Sequence, residues 1–196
     1  MSELLVLIIT IFVIFMSIWI YKEGRSEEVD YVVSQYDKRG YLVRNLPDKD
    51  KAAELLSQIR LKLELLISSL KKKYPNDDRI TRLYEKFDPN RMSEASANSA
   101  YTSYSVNKGE KIVFCLRQRD DKEHLMDINT MLFVAIHEIA HMMTKSVGHT
   151  PEFWDNMKFL LVNAIAKDVK IYEYQPYHEK PQPYCGTVIS DTPLKL

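Results

Sequence analysis

The residues best equipped for chemistry lie between Asn129 and Asn156, in the run NTMLFVAIHEIAHMMTKSVGHTPEFWDN. Within it, His137-Glu138-Ile139-Ala140-His141 sets two histidines four residues apart. On a helix that spacing returns to nearly the same face, so both imidazoles can reach one metal ion. Glu138 then stands at the flank of that face, beside a metal-bound water rather than on the metal, which is the position of a general base. A catalytic zinc needs a third protein ligand and an open fourth position. His149 is the candidate for that ligand. A chance H-E-x-x-H in a chain of this composition is expected roughly 1% of the time, so the neighbouring residues decide how much weight the motif bears.

Those neighbours are consistent with a site. Asp127, Asn129 or Thr130 can cap a helix whose Met131, Leu132, Val134, Ala135, Ile136, Ile139 and Ala140 give it a largely apolar surround. Gly148 suits a left-handed residue ending that helix, and the turn can carry His149 back toward the metal. Thr150, Pro151 and Glu152 read as cap, first residue and first-turn acid of the next helix. Two plainer readings stand beside this one: a pair of core histidines bonded to backbone, or zinc held for structure alone. A structural zinc usually closes with a fourth ligand and leaves Glu138 without a task.

HEIAH followed by GHTPEFW resembles the core of the WLM and SprT-like zinc metallopeptidases. The resemblance covers about a quarter of the chain, from the strand before the active helix to the helix after it. It implies that His137, His141 and His149 are zinc ligands and Glu138 the catalytic base. It also implies a strand ahead of the active helix whose edge pairs with an extended substrate, a known mode of peptide binding. The candidate edge is 111–116 or its hairpin partner.

The rest of the chain must position these residues. Residues 4–20 are an apolar run broken only by Thr10 and Ser17, long enough with its flanks to span a hydrocarbon core of about 30 Å. Trp19 and Tyr21 sit where an aromatic belt belongs. Glu3 in front and Ile-Tyr-Lys-Glu behind lack the features of a cleaved signal peptide, so an uncleaved anchor over 1–22 is expected. Lys22 and Arg25 follow the span, which places the body in the cytosol by the positive-inside rule. Residues 23–45 read as a charged tether followed by short apolar clusters around a turn at Asp37 to Gly40, which are either strand fragments or an extended arm over the domain.

The expected peptidase domain fills 46–196, with a tail over 168–196. A long helix follows Leu46-Pro47-Asp48, with Ala52, Leu55, Leu56, Ile59, Leu63, Leu66, Ile67 and Leu70 on one face and Lys51, Glu54, Arg60 and Lys71 to Lys73 on the other. Residues 77–87 read as a shorter helix, 88–99 as a loop, and 100–105 with 111–116 as a β-hairpin. Cys115 reads as a small buried hydrophobe, and His124 as a surface residue. Phe153 and Trp154 are expected to pack on the active helix and hold His149 in place. A tyrosine that swings toward the metal could steady an oxyanion, and Tyr172, Tyr174, Tyr177 and Tyr184 are all candidates, with packing the plainer reading of each; His178 with Cys185 form a weaker metal candidate.

Composition narrows the function. The chain has 27 basic and 27 acidic residues and a net charge of zero. With two cysteines and no zinc-knuckle cluster, it lacks the usual means of finding DNA, which argues against a nucleic-acid partner and a DNA-repair protease. The expectation is thus an α+β, single zincin-like domain with a small sheet and an HExxH helix, preceded by one transmembrane helix. It would be a zinc-dependent metallopeptidase hydrolysing peptide bonds by a Glu-activated zinc-bound water, with a protein or peptide substrate and a membrane partner through 4–21. A zinc-stabilised, membrane-displayed module that only binds protein is the alternative. Short chains of this kind also resemble proteins of large DNA viruses, which implies a viral or host internal membrane as the location.

Overall fold

The computed structural model describes residues 3–23 and 28–195. The first helix, α1 (Glu3–Glu23), forms as the sequence predicts, and its Thr10 and Ser17 hydroxyls donate to the carbonyls of Val6 and Val13. Its expected role is overturned. Among the described residues, no helix is long and apolar enough to cross a membrane. The expected single-pass membrane location falls with that finding, and the membrane partner expected through 4–21 is left without support.

Five strands form the main sheet: β1 (Val29–Val33), β2 (Gly40–Arg44), β3 (Met92–Glu94), β4 (Tyr104–Val106) and β5 (Lys111–Phe114), in the order β1-β2-β3-β5-β4. The pairs β1/β2 and β4/β5 are antiparallel, while β3 runs parallel to both β2 and β5. Residues 29–44 are thus integral strands of the sheet. Alternation decides which face they bury: Val32, Tyr41 and Val43 point into the core while Tyr31, Val33 and Leu42 remain exposed.

The buried face is covered by α2 (Lys49–Lys73), which packs on β1, β2 and β3. Leu56, Ile59, Leu63, Leu66 and Leu70 recur at helical spacing and are almost fully buried. Truncating one of these leucines costs about 2–5 kcal/mol in such a core. Arg60, expected on the solvent face, is buried instead. Its guanidinium pairs with Asp37 at 3.0 Å and its Nε donates to the Tyr41 hydroxyl at 2.9 Å, which fastens the β1/β2 turn to the helix. Burial is why the guanidinium needs the carboxylate.

Three more helices complete the body: α3 (Asp78–Lys86), α4 (Ile128–Met143) and α5 (Pro151–Ile165). Each packs on α2, and α4 also packs on α3 and α5. The tail ends in a hairpin, β6 (Gln182–Tyr184) and β7 (Thr187–Ile189). Cys185 in its turn is disulfide-bonded to Cys115 just after β5, a link across 70 positions. The whole is a mixed α+β domain with a small sheet.

Two features were hidden in the sequence. β3 lies inside the segment expected to be a loop, and all three of its residues are buried. It is held by charge rather than by apolar pattern: the Glu94 carboxylate accepts from Arg117 Nε at 2.8 Å and from the Arg44 N–H at 2.7 Å. Arg117 in turn pairs with Asp48 at 2.8 Å. The second feature is the β6/β7 hairpin, whose Pro-rich sequence resembles an irregular tail.

Candidate metal centre

α4 starts where Asp127 caps it, its carboxylate accepting from the Thr130 N–H at 2.9 Å and from the Thr130 hydroxyl at 2.6 Å. Three turns later the helix presents His137 and His141 to the same side, with their Nε2 atoms 3.2 Å apart. The helix stops at Thr144, whose N–H and hydroxyl both return to the Ala140 carbonyl. The chain then reverses through Gly148 at a φ of +83°, a left-handed conformation that glycine adopts without steric cost. This brings His149 Nε2 to 3.0 Å from His137 Nε2.

The loop that carries His149 is fastened on two sides. Lys108, in the β4/β5 turn, donates to the carbonyls of Thr144, Lys145 and Ser146 at 2.8, 2.7 and 2.9 Å. That turn requires glycine at Gly109, where φ is +122° and an added Cβ would meet the Lys86 carbonyl oxygen at 2.5 Å. From the other side, the Glu152 carboxylate accepts from the N–H groups of Lys145 and Ser146 at 2.9 and 3.1 Å and from the Ser146 hydroxyl at 2.8 Å. Aromatic rings back the imidazoles: Phe153 stacks on His141 at 4.3 Å between centroids, and Trp154 stacks on His149 at 5.6 Å. Phe153 is buried and Trp154 partly exposed.

His137, His141 and His149 form a group that could hold a metal ion. The geometry fits zinc. A tetrahedral ion with Zn–N bonds near 2.05 Å puts neighbouring ligand nitrogens about 3.3 Å apart, close to the two Nε2 separations here. The chemistry fits as well. Burial first, then the other two histidines, holds His137 down to about 3, and burial, His149 and Lys108 hold His141 down to about 4. Both rings are therefore neutral near pH 7, as ligation requires.

Glu138, the next residue of α4 after His137, is buried. Burial pushes its carboxyl up to about 7, against the opposing pull of the Ser105 hydroxyl and N–H on β4. The three histidines and Glu138 share a cleft of about 830 Å³ whose other walls include Ser103 and Ser105 near the sheet edge, Phe133 and Val134 on α4, and Tyr184 and Ile189 of the tail hairpin. The edge strand is β4, the hairpin partner, while β5 is internal.

Other sequence candidates lie elsewhere. His124 is exposed beside Asp120, His178 faces Glu179, and Cys185 is taken up by the disulfide, so neither His178 nor Cys185 joins the triad. Tyr172 and Tyr177 are buried against Phe133, with ring centroids 6.2 and 4.7 Å away. Lys108 and Glu152 escaped the sequence reading as holders of the His149 loop, because a lysine in a turn and a first-turn glutamate look like ordinary surface residues.

Comparison with known proteins bears on this arrangement. The chain is 34% identical over 175 residues to the uncharacterized protein R325 of Acanthamoeba polyphaga mimivirus, covering 87% of each. A shorter match, 33% over 76 residues, links it to the uncharacterized protein 136R of Invertebrate iridescent virus 6, covering 38% of this chain and 42% of that one. Among solved structures, Wss1 from Saccharomyces cerevisiae is similar, with a TM-score of 0.46 and 21% identity, covering 61% of this chain and 82% of the other. The WLM domain matches residues 35–191, a span that takes in the sheet, the histidine triad and the tail hairpin. With most of its length inside that match, the chain belongs to the WLM domain family and has a metalloprotease-like fold.

Proposed function

We propose that this protein is a zinc-dependent peptidase that cleaves protein or peptide substrates, with His137, His141 and His149 as the metal ligands and Glu138 as the general base. The observation that carries the reading is the convergence of three imidazole nitrogens on one point, with a buried carboxyl from the helix of His137 and His141 lining the same cleft. Membership of the WLM family, a zinc metallopeptidase family, supports it. Zinc held by these three histidines would supply a Lewis acid that acidifies water and polarises a carbonyl.

Glu138 takes a proton from the attacking water and later returns it to the departing amine nitrogen. Its carboxyl is suited to both transfers, since burial brings its pKa close to neutral, where an acid–base catalyst works best. Ser105 steadies the carboxylate from β4. Because β4 is the edge of the sheet and its approach, 102–105, borders the cleft, an extended peptide can add to it as a further strand. That would lay the scissile bond across the mouth of the triad. A purely structural zinc site gives no use to a carboxyl held in the cleft at the cost of its own desolvation.

The test is a pair of variants of the full chain. Glu138→Gln is expected to keep zinc at one per chain and to lose peptidase turnover by at least a hundredfold. His149→Ala is expected to lose zinc affinity. Undiminished cleavage by Glu138→Gln would sink the mechanism.

A further inference from the structure

We propose that Tyr184 is a further catalytic residue, its phenolic hydroxyl donating to the oxyanion that develops on the scissile carbonyl. The inference rests on the peptidase reading of the histidine site. Among the described residues, Tyr184 alone of the tail tyrosines lines the cleft. Its hydroxyl is hydrogen-bonded to Ser103 Oγ, and Ser103 leads into the edge strand whose Ser105 faces Glu138.

Hydrogen-bond bookkeeping at Ser103 decides what the phenol can do. A serine hydroxyl has one proton and two lone pairs. One lone pair of Ser103 accepts the Cys115 N–H at 3.0 Å. If the Ser103 proton is given to Tyr184, the phenolic O–H is free to donate into the cleft. An anion arriving in the cleft selects that arrangement, since the phenol is the more acidic of the two donors. Burial, with a further push from the nearby Glu138 charge, holds the phenol well above the usual tyrosine range, so it keeps its proton throughout the working pH.

The donor is also fixed in place, which electrostatic stabilisation of a transition state requires. On one side of Tyr184, the Pro183 carbonyl accepts from Gln118 Nε2 at 2.7 Å. On the other, Cys185 is bonded to Cys115, the residue that also donates to Ser103. Tyr184 is itself paired with Thr187 in the tail hairpin. A residue that only filled the cleft wall would need its ring and not its hydroxyl.

The experiment compares zinc-loaded wild type with Tyr184→Phe in the full chain, which keeps the ring. Two readouts are taken: kcat and KM on an unstructured protein, and calorimetric affinity for a phosphonate peptide, a mimic of the oxyanion. The expected result is a kcat lower by about 100-fold or more with KM within about twofold, and a matching loss of phosphonate affinity. Binding of an ordinary peptide, measured with Glu138→Gln in both backgrounds, is expected to stay the same. An active wild type with an equally active Tyr184→Phe overturns this inference alone. So does an equal weakening of phosphonate and ordinary peptide, which makes Tyr184 a general binding contact. A zinc-loaded wild type that cleaves nothing overturns the peptidase reading and this inference with it.

Discussion

The Lys108 ammonium lies 2.9 Å from the carbonyl oxygen of Ser146, three residues before the histidine that completes the triad. Together with its bonds to Thr144 and Lys145, this makes Lys108 a cationic stop on the α4 C-terminus and a strut under the His149 loop. Lys108→Met keeps the side-chain length and removes the donors. Zinc affinity, measured by competition with a chelating dye, is expected to fall about 10–100-fold, as when outer supports of a metal site are lost. An unchanged affinity would show that the loop holds His149 without the strut.

Glu152 supports the same loop from the far side and gives it a pH dependence. The N–H of Lys145, then the hydroxyl and N–H of Ser146, hold its carboxyl down to about 2 from an ordinary 4.5. A lowered value means that this stabilisation is complete above about pH 4.5 and is lost as the pH falls toward 2. In melts of the metal-free protein, wild type is expected to exceed Glu152→Gln at neutral pH, with the gap closing over that acid window. A gap that persists at pH 2 would assign the difference to something other than the carboxylate's charge.

Glu94 and Arg117 form a buried ion pair at 2.8 Å with side chains 1% and 4% exposed. Burial raises the Glu94 carboxyl above its ordinary value even against the pull of the Arg44 N–H and Arg117. Glu94→Ala strips Arg117 of a partner it cannot replace with water. The expected cost is about 3–5 kcal/mol in denaturant unfolding. A loss under about 1 kcal/mol would mean that Asp48 alone satisfies the guanidinium.

That pair also marks where sequence reading failed. The helices were legible because apolar residues recur at three- and four-residue steps, as from Leu55 to Leu70, and the grouping of the three histidines was legible because His137 and His141 share a helix face and a glycine turn precedes His149. β3 was not, since Met-Ser-Glu carries no strand pattern and is buried through partners 23 and 50 positions away. Arg60 was assigned to solvent for the same reason: nothing local announces Asp37. Tyr184 stood among four equivalent tail tyrosines until the hairpin and the disulfide distinguished it. The N-terminal apolar run formed its helix, while the membrane role inferred from it did not survive.

The Cys115–Cys185 disulfide closes a loop of 70 positions. In the chain-entropy account, such a link stabilises the fold by about 4 kcal/mol. Reducing it, or replacing Cys185 by Ser, is expected to lower the unfolding free energy by about that amount and to loosen the cleft wall formed by β6 and β7. Equal denaturant midpoints for the oxidised and reduced proteins would contradict the tie between tail and sheet.

The most direct test of the central claim is a titration of the metal-free full chain with zinc, following cleavage of an unstructured protein at each step. The expected rate rises linearly to one equivalent and then levels, vanishes with a chelator, and never appears in His137→Ala. Saturation of the site at one equivalent with no cleavage, or cleavage that persists after the metal is removed, would contradict it.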